Sequence, residues 1–182
     1  MLQNNFGGWW TEPKTKAIKS IDNDHAYIHA GKRFTTFHKA TILSAGTLEF
    51  SLVTPATGVI HYRPMKVSPS ADKVDIAFFE GATVNVAGTQ LAYFNRNRSA
   101  TAVAGTVLRH GTTFSSNGAA LTGFSDWLPG SEGIGTIRLG SSSNDADEIV
   151  LKPNTTYRIL ITNGSSASNT IGFIFNHYEE EA

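Results

Sequence analysis

TYRILITNGSSASNTIGFIFNHY (residues 156–178) holds two apolar-rich runs on either side of a polar connector, and its reading decides the fold. TYRILIT (156–162) and TIGFIFNHY (170–178) are rich in β-branched and aromatic residues and read as strands. The connector NGSSASN (163–169) opens on Asn163-Gly164, a pair that favours tight turns because both residues tolerate left-handed backbone. The stretch therefore predicts a hairpin that closes the chain.

The β signal continues upstream. TLEFSLV (47–53) alternates Leu48, Phe50 and Leu52 with Thr47, Glu49 and Ser51, and VDIAFFEG (74–81) turns Val74, Ile76 and Phe78 to one face. HAYIHAGKRFTTFHKATI (25–42) supplies one or two strands around a turn at Gly31. No apolar stripe of period 3.6 reaches helical length. Short strands between Gly, Ser, Asn and Pro turns predict an all-β antiparallel sandwich of jelly-roll type. Residues 99–148 read as a loop-rich excursion with short strands, since Phe114, Phe124 and Trp127 are spaced too widely for a regular period.

At 182 residues, 40% hydrophobic and 16% charged, the chain fits one domain able to bury a core unaided. Fifteen basic and fifteen acidic residues cancel, which argues against a nucleic-acid partner. The absence of cysteine removes disulfides, thiolate metal sites and cysteine nucleophiles. No signal-peptide core and no apolar run of about 20 residues is present, so a soluble chain with no membrane partner, made in a cytoplasm, is expected.

Two segments stand apart. Residues 1–20 form an N-terminal arm ahead of the sandwich domain at 21–182. GGWW (7–10) and the basic TEPKTKAIK (11–19) read either as a disordered terminus or as an arm whose Trp9 and Trp10, with Lys14, Lys16 and Lys19, contact a partner. FNRNRS (94–99) places Arg96 and Arg98 in an otherwise mildly charged chain. If the chain turns there, Asn95 and Asn97 can bond backbone, and the arginine forks suit carboxylates or carbonyls at a subunit boundary. The segment is expected to pin a loop or a subunit contact, the plain alternative being two solvated arginines.

Candidate chemistry is sparse. DHAYIH (24–29), read as a strand, puts His25, Tyr27 and His29 on one face with Asp22 and Asp24 near, but the rings would lie about 13 Å apart. NDADE (144–148), with Asp145, Asp147 and Glu148, lacks the glycine and closing glutamate of a calcium loop. There is no GxSxG, GxGxxG or P-loop. No catalytic residue, cofactor or metal site is expected. Trp127 or Tyr93 could stack on a sugar, which gives an alternative reading as a host-surface glycan-binding module.

IDNDHAYIHAGKRF (21–34), TLEFSLVTP (47–55), IAFFEGATV (76–84), FNRNRS (94–99), EIVLKPNTTYRILITN (148–163) and FIFNHYEE (173–180) occur in that order. Together they resemble the capsid decoration, or cement, proteins of tailed bacteriophages, over most of the chain but not the arm. The resemblance implies a jelly-roll-like virion protein on the outer capsid surface, assembled in the bacterial host cytoplasm. Its implied partners are the major capsid protein and itself, as a homotrimer at threefold or quasi-threefold positions.

Overall fold

The computed structural model describes residues 9–11, 18–20, 23–70, 73–124, 126–128 and 148–180. The described strands are β1 (Trp9–Thr11), β2 (Ile18–Ser20), β3 (Arg33–Ile42), β4 (Thr47–Val53), β5 (Val59–Pro69), β6 (Val74–Glu80), β7 (Thr83–Val86) and β8 (Thr89–Gln90). They continue with β9 (Phe94–Asn95), β10 (Val107–His110), β11 (Thr113–Ser116), β12 (Ala119–Ala120), β13 (Asp126–Leu128), β14 (Ile149–Leu151), β15 (Thr156–Asn163) and β16 (Asn169–Glu180). Among the described residues one helix, α1 (Asn23–His29), precedes β3, and one 3-10 turn spans Thr122–Phe124.

The architecture is an antiparallel β-sandwich. One sheet runs β12-β6-β15-β4-β10-β8, with β13 also on β6, and the other runs β14-β5-β16-β3-β9. The two longest-partnered strands, β15 and β16, sit in the middle of opposite sheets. Alternation turns Tyr157, Ile159 and Ile161 of β15 and Ile171, Phe173 and Phe175 of β16 into a common core with Phe50, Leu52, Ile60, Ile76, Phe78 and Leu108, all essentially solvent-free. Phe50 of one sheet stacks on Phe173 of the other, centroids 4.3 Å apart.

The expected closing hairpin is therefore not formed. β15 pairs with β4 and β6, whereas β16 pairs with β3 and β5, so the connector carries the chain from one sheet across to the other. The reason is local. Neither Asn163 nor Gly164 adopts the left-handed backbone that a two-residue hairpin turn requires. Instead the buried Asn163 amide donates to the carbonyls of Leu43 (2.9 Å) and Ala167 (2.8 Å), and its oxygen accepts from the Ser165 N–H (3.1 Å). Asn169, equally buried, accepts from the Ser70 N–H (3.0 Å). These side chains substitute for ladder bonds at the corner, where buried backbone groups need partners.

A second difference lies at residues 23–32. DHAYIH is helical, not extended, and its seven-residue helix is too short to print a readable stripe in the sequence. The helix ends in a Schellman motif: Lys32 N–H reaches Tyr27 C=O (3.0 Å), Gly31 N–H reaches Ile28 C=O (3.0 Å), and Gly31 takes φ +71°. Tyr27 seats the helix on the outer face of the second sheet, stacked on Tyr178 at 4.0 Å, and donates to Glu180. His61 stacks on the other side of Tyr178 at 4.4 Å and bonds Glu148 (2.6 Å), which also accepts from Tyr178 (2.5 Å).

Between β6 and β13 the chain builds an internal duplication with a 30-residue offset. GATVNVAGTQLAYF (81–94) and GTTFSSNGAALTGF (111–124) share glycine, threonine, glycine, leucine and phenylalanine at matching places. Their pairings exchange: β8 adds to β10, with Gln90 opposite Arg109, while β12 adds to β6, with Ala120 opposite Phe79. β7 pairs with β11 as a two-stranded ribbon. The Leu91 N–H meets Leu108 C=O (2.9 Å), as the Leu121 N–H meets Phe78 C=O (2.8 Å). The ribbon is fastened to the sheet by the buried Arg158, whose guanidinium lies over Phe114 (5.2 Å) and Phe79 (5.4 Å), pairs with Glu49 (3.0 Å) and donates to Asn117 (2.5 Å).

Candidate interaction surface

FNRNRS departs from β9 along the edge of the second sheet. Asn95 pairs opposite Phe34, and the Arg96 N–H still reaches Arg33 C=O (2.9 Å) before the chain turns. The two asparagines then hold the turn. Asn95 donates to Gly31 C=O (2.7 Å) and Ala102 C=O (3.0 Å), and its oxygen accepts from the Asn97 N–H (2.9 Å). Asn97 donates to His29 C=O (3.0 Å) and accepts from the Ser99 N–H (3.1 Å). The loop is thereby tied to the end of α1, so close that a Cβ on Gly31 would lie 2.6 Å from that of Ala100.

The clasp is thus made by Asn95 and Asn97, while Arg96 and Arg98 project into solvent. Asn95→Ala should cost about 1–2 kcal/mol because it removes three bonds to backbone. Arg96→Ala with Arg98→Ala should stay within about 0.5 kcal/mol of the parent. Urea unfolding of both variants checks this contrast, and an equal loss would mean the arginines share in the clasp.

Beside the arginines lies an exposed apolar strip. Strand register sets Phe94 beside Thr35 and Asn176, and Phe37 beside Ile174, all on the outer face of the second sheet. Phe37 is 56% and Phe94 58% exposed, unusual for rings on strands that carry a core on their other face. Thr35 donates to Asn176 (2.7 Å) at the floor of a shallow groove walled by Phe94, Arg96, Arg98 and Ile174. Lys39, two positions beyond Phe37, stands at the far end. Among the described residues Lys39, Arg96 and Arg98 make no ion pair. This strip carried no sequence signal, because Phe37 and Phe94 look like core residues until the pleat is known.

The neighbouring loop 101–106 is fixed by a half-buried carboxylate. Glu179 accepts from the N–H groups of Gly105 and Thr106 (both 2.9 Å) and from His177 Nε2 (3.0 Å). Burial raises the Glu179 pKa, but the bonds from His177, Gly105 and Thr106 outweigh it and bring the carboxyl down to about 2. Burial holds His177 below its ordinary value, with Glu179 opposing and Arg33 adding to the shift. Both depressed groups favour the folded state at high pH. The His177 contribution fades as pH falls below 6.5, and that of Glu179 fades from 4.5 towards 2. The urea midpoint should fall in two stages from pH 7 to pH 3, with the lower stage flattened in Glu179→Gln. A midpoint independent of pH over that range would contradict this arrangement.

Other expected residues are placed as follows. Trp9 and Trp10 lie in β1, opposite Ser20 and Lys19 of β2, while Lys14 and Lys16 lie outside the described residues. Tyr93 turns towards the core, edge-on to His177 at 4.8 Å, so this ring is not displayed for stacking on a sugar. Trp127 contributes backbone to β13. His25 and His29, on a helix after all, have rings 6.3 Å apart, and among the described residues no group of three or more His, Cys, Asp or Glu could hold a metal. Asp22, Asp145 and Asp147 lie outside the described residues. No described helix is long and apolar enough to cross a membrane. No protein-family model matches the chain, and no curated protein is significantly similar to it.

Proposed function

We propose that the protein is a structural virion protein that binds the outer surface of an assembled tailed-phage capsid and stabilises it, as a homotrimer at threefold or quasi-threefold positions. The observation that carries the reading is the exposed Phe37–Phe94 strip, bracketed by three cations that make no ion pair among the described residues. Such a strip suits docking, since aromatic and arginine side chains dominate the energetics of protein interfaces. A protein that binds only the assembled shell opposes disassembly by mass action, and repetition around a trimer multiplies weak contacts.

Strand order supports the jelly-roll part of this reading. β14-β5-β16-β3 and β4-β15-β6-β13 match the two four-strand sheets that a pair of Greek keys produces, with residues 81–125 inserted between β6 and β13. In the same reading Trp9, Trp10, Lys14, Lys16 and Lys19 belong to an arm that reaches the shell or a neighbouring subunit. The test is occupancy on purified expanded capsids, measured by quantitative gel or particle mass. Phe37→Ser with Phe94→Ser should abolish loading without unfolding the chain, and deletion of residues 1–20 should lower it. Failure of the parent protein to load on any expanded head of its phage would remove the proposal.

A further inference from the structure

The same strip borders an open sheet edge. β9 covers β3 only at Phe34 and Thr35, whereas β16 accompanies β3 along its whole length. From Thr36 to Ile42, β3 therefore has a strand on one side and, among the described residues, none on the other. Arg33 presents its carbonyl to the β9 side, where it accepts from Arg96. The period of two then aims the backbone groups of Phe37, Lys39 and Thr41 at that open edge. Their side chains stand on the outer face, where the described positions from Thr35 to Thr41 and from Thr170 to Asn176 include no carboxylate. A free edge, two exposed rings and cations at both ends thus coincide.

We propose that an extended acidic segment of a partner chain docks here, adding as a strand to β3 beyond β9. Its main chain takes the open N–H and C=O groups, its apolar side chains cover Phe37 and Phe94, and its carboxylates meet Lys39, Arg96 and Arg98. Charge complementarity selects this occupant: a basic segment would be repelled at both ends, and a neutral one would leave three cations without counter-charge at the interface. Edge strands of folded proteins are ordinarily blunted or covered. Among the described residues Lys39 guards this one, and an acidic partner turns that guard into a contact. The inference deepens the docking role proposed above and rests on it only for the identity of the partner as a shell protein.

A fluorescein-labelled peptide of alternating Glu and Val, seven residues long, is the probe, with a Lys-Val peptide and a Glu-Val peptide N-methylated at alternate backbone nitrogens as controls. Fluorescence anisotropy should show the Glu-Val peptide binding the full chain, weakening about tenfold in Arg96→Ala with Arg98→Ala, and weakening again with added salt. Neither control peptide should bind. Equal binding of the Lys-Val or methylated peptide overturns the proposal, as does no binding of the Glu-Val peptide. A self-associated form that dissociates on Phe37→Glu would assign the strip to a second copy and overturn it as well. Capsid loading is scored separately: loading without peptide binding removes this inference alone, and peptide binding without loading removes the decoration reading alone.

Discussion

Phe173→Ala should lower the free energy of unfolding by about 3–5 kcal/mol, which is a large part of the stability of a domain this size. Its ring is solvent-free and stacks on Phe50 across the gap between the sheets. Removing it leaves a cavity walled by two stiff sheets that cannot both relax inward. His38 approaches the same Phe50 edge-on at 5.7 Å, and one imidazole at the margin of the sandwich cannot replace a central ring. Phe37→Ala removes a ring of equal size from the adjacent strand, yet should cost below about 0.5 kcal/mol, because that ring faces water. Urea denaturation of both variants measures the contrast. A Phe173→Ala loss under about 1.5 kcal/mol would mean that the two sheets do not rest on this stack.

The second large effect concerns the duplicated ribbon. Four glycines there have left-handed backbone: Gly81 (φ +74°), Gly88 (+67°), Gly111 (+66°) and Gly118 (+78°). Gly81 and Gly111 have no atom within 4 Å of where a Cβ would stand, so alanine there costs only the conformational term, about 1–2 kcal/mol. Gly88 and Gly118 differ. A Cβ on Gly88 would lie 2.3 Å from the His110 carbonyl oxygen, and one on Gly118 would lie 2.3 Å from that of Glu80. Both oxygens are backbone and cannot swing aside. Gly88→Ala and Gly118→Ala should each cost about 3 kcal/mol or more, adding displacement of a crossing strand to the conformational term. Thermal or urea unfolding of the four single variants separates the two terms. Equal losses at all four positions would show that the strands do not cross so closely.

The sandwich was legible because period-two burial writes itself into residue type. Leu48, Phe50 and Leu52, and Val74, Ile76 and Phe78, face inward as their alternation requires. What was not legible depends on partners far away in sequence. Asn163-Gly164 reads as a hairpin turn from its own chemistry, and Leu43, brought near by another connection, joins Ser165 and Ala167 of the connector in giving the asparagine a different use. Phe37 and Phe94 are core-like by type, and their exposure follows from which side of β3 faces β4 and β10. The duplication hides because its matching residues are few and of types common enough in this chain to coincide by accident. The loop clasp was half visible: FNRNRS drew notice for its arginines, while Asn95 and Asn97 carry the geometry.

The exchanged pairing of the two ribbon halves has a consequence for how the chain reaches its native state. Residues 119–120 find their partners at 79–80, and 89–90 theirs at 109–110, so the halves enclose one another like two hooks. Neither hook closes by local contacts. A loop of about 40 residues must be shut before the outer ladder yields anything, and its entropy opposes early formation. The ribbon is therefore expected to form late and all at once, after β4, β6 and β15 have given it an edge to build on. For the same reason its two halves cannot diverge independently, since a change of length in one shifts the register of the other.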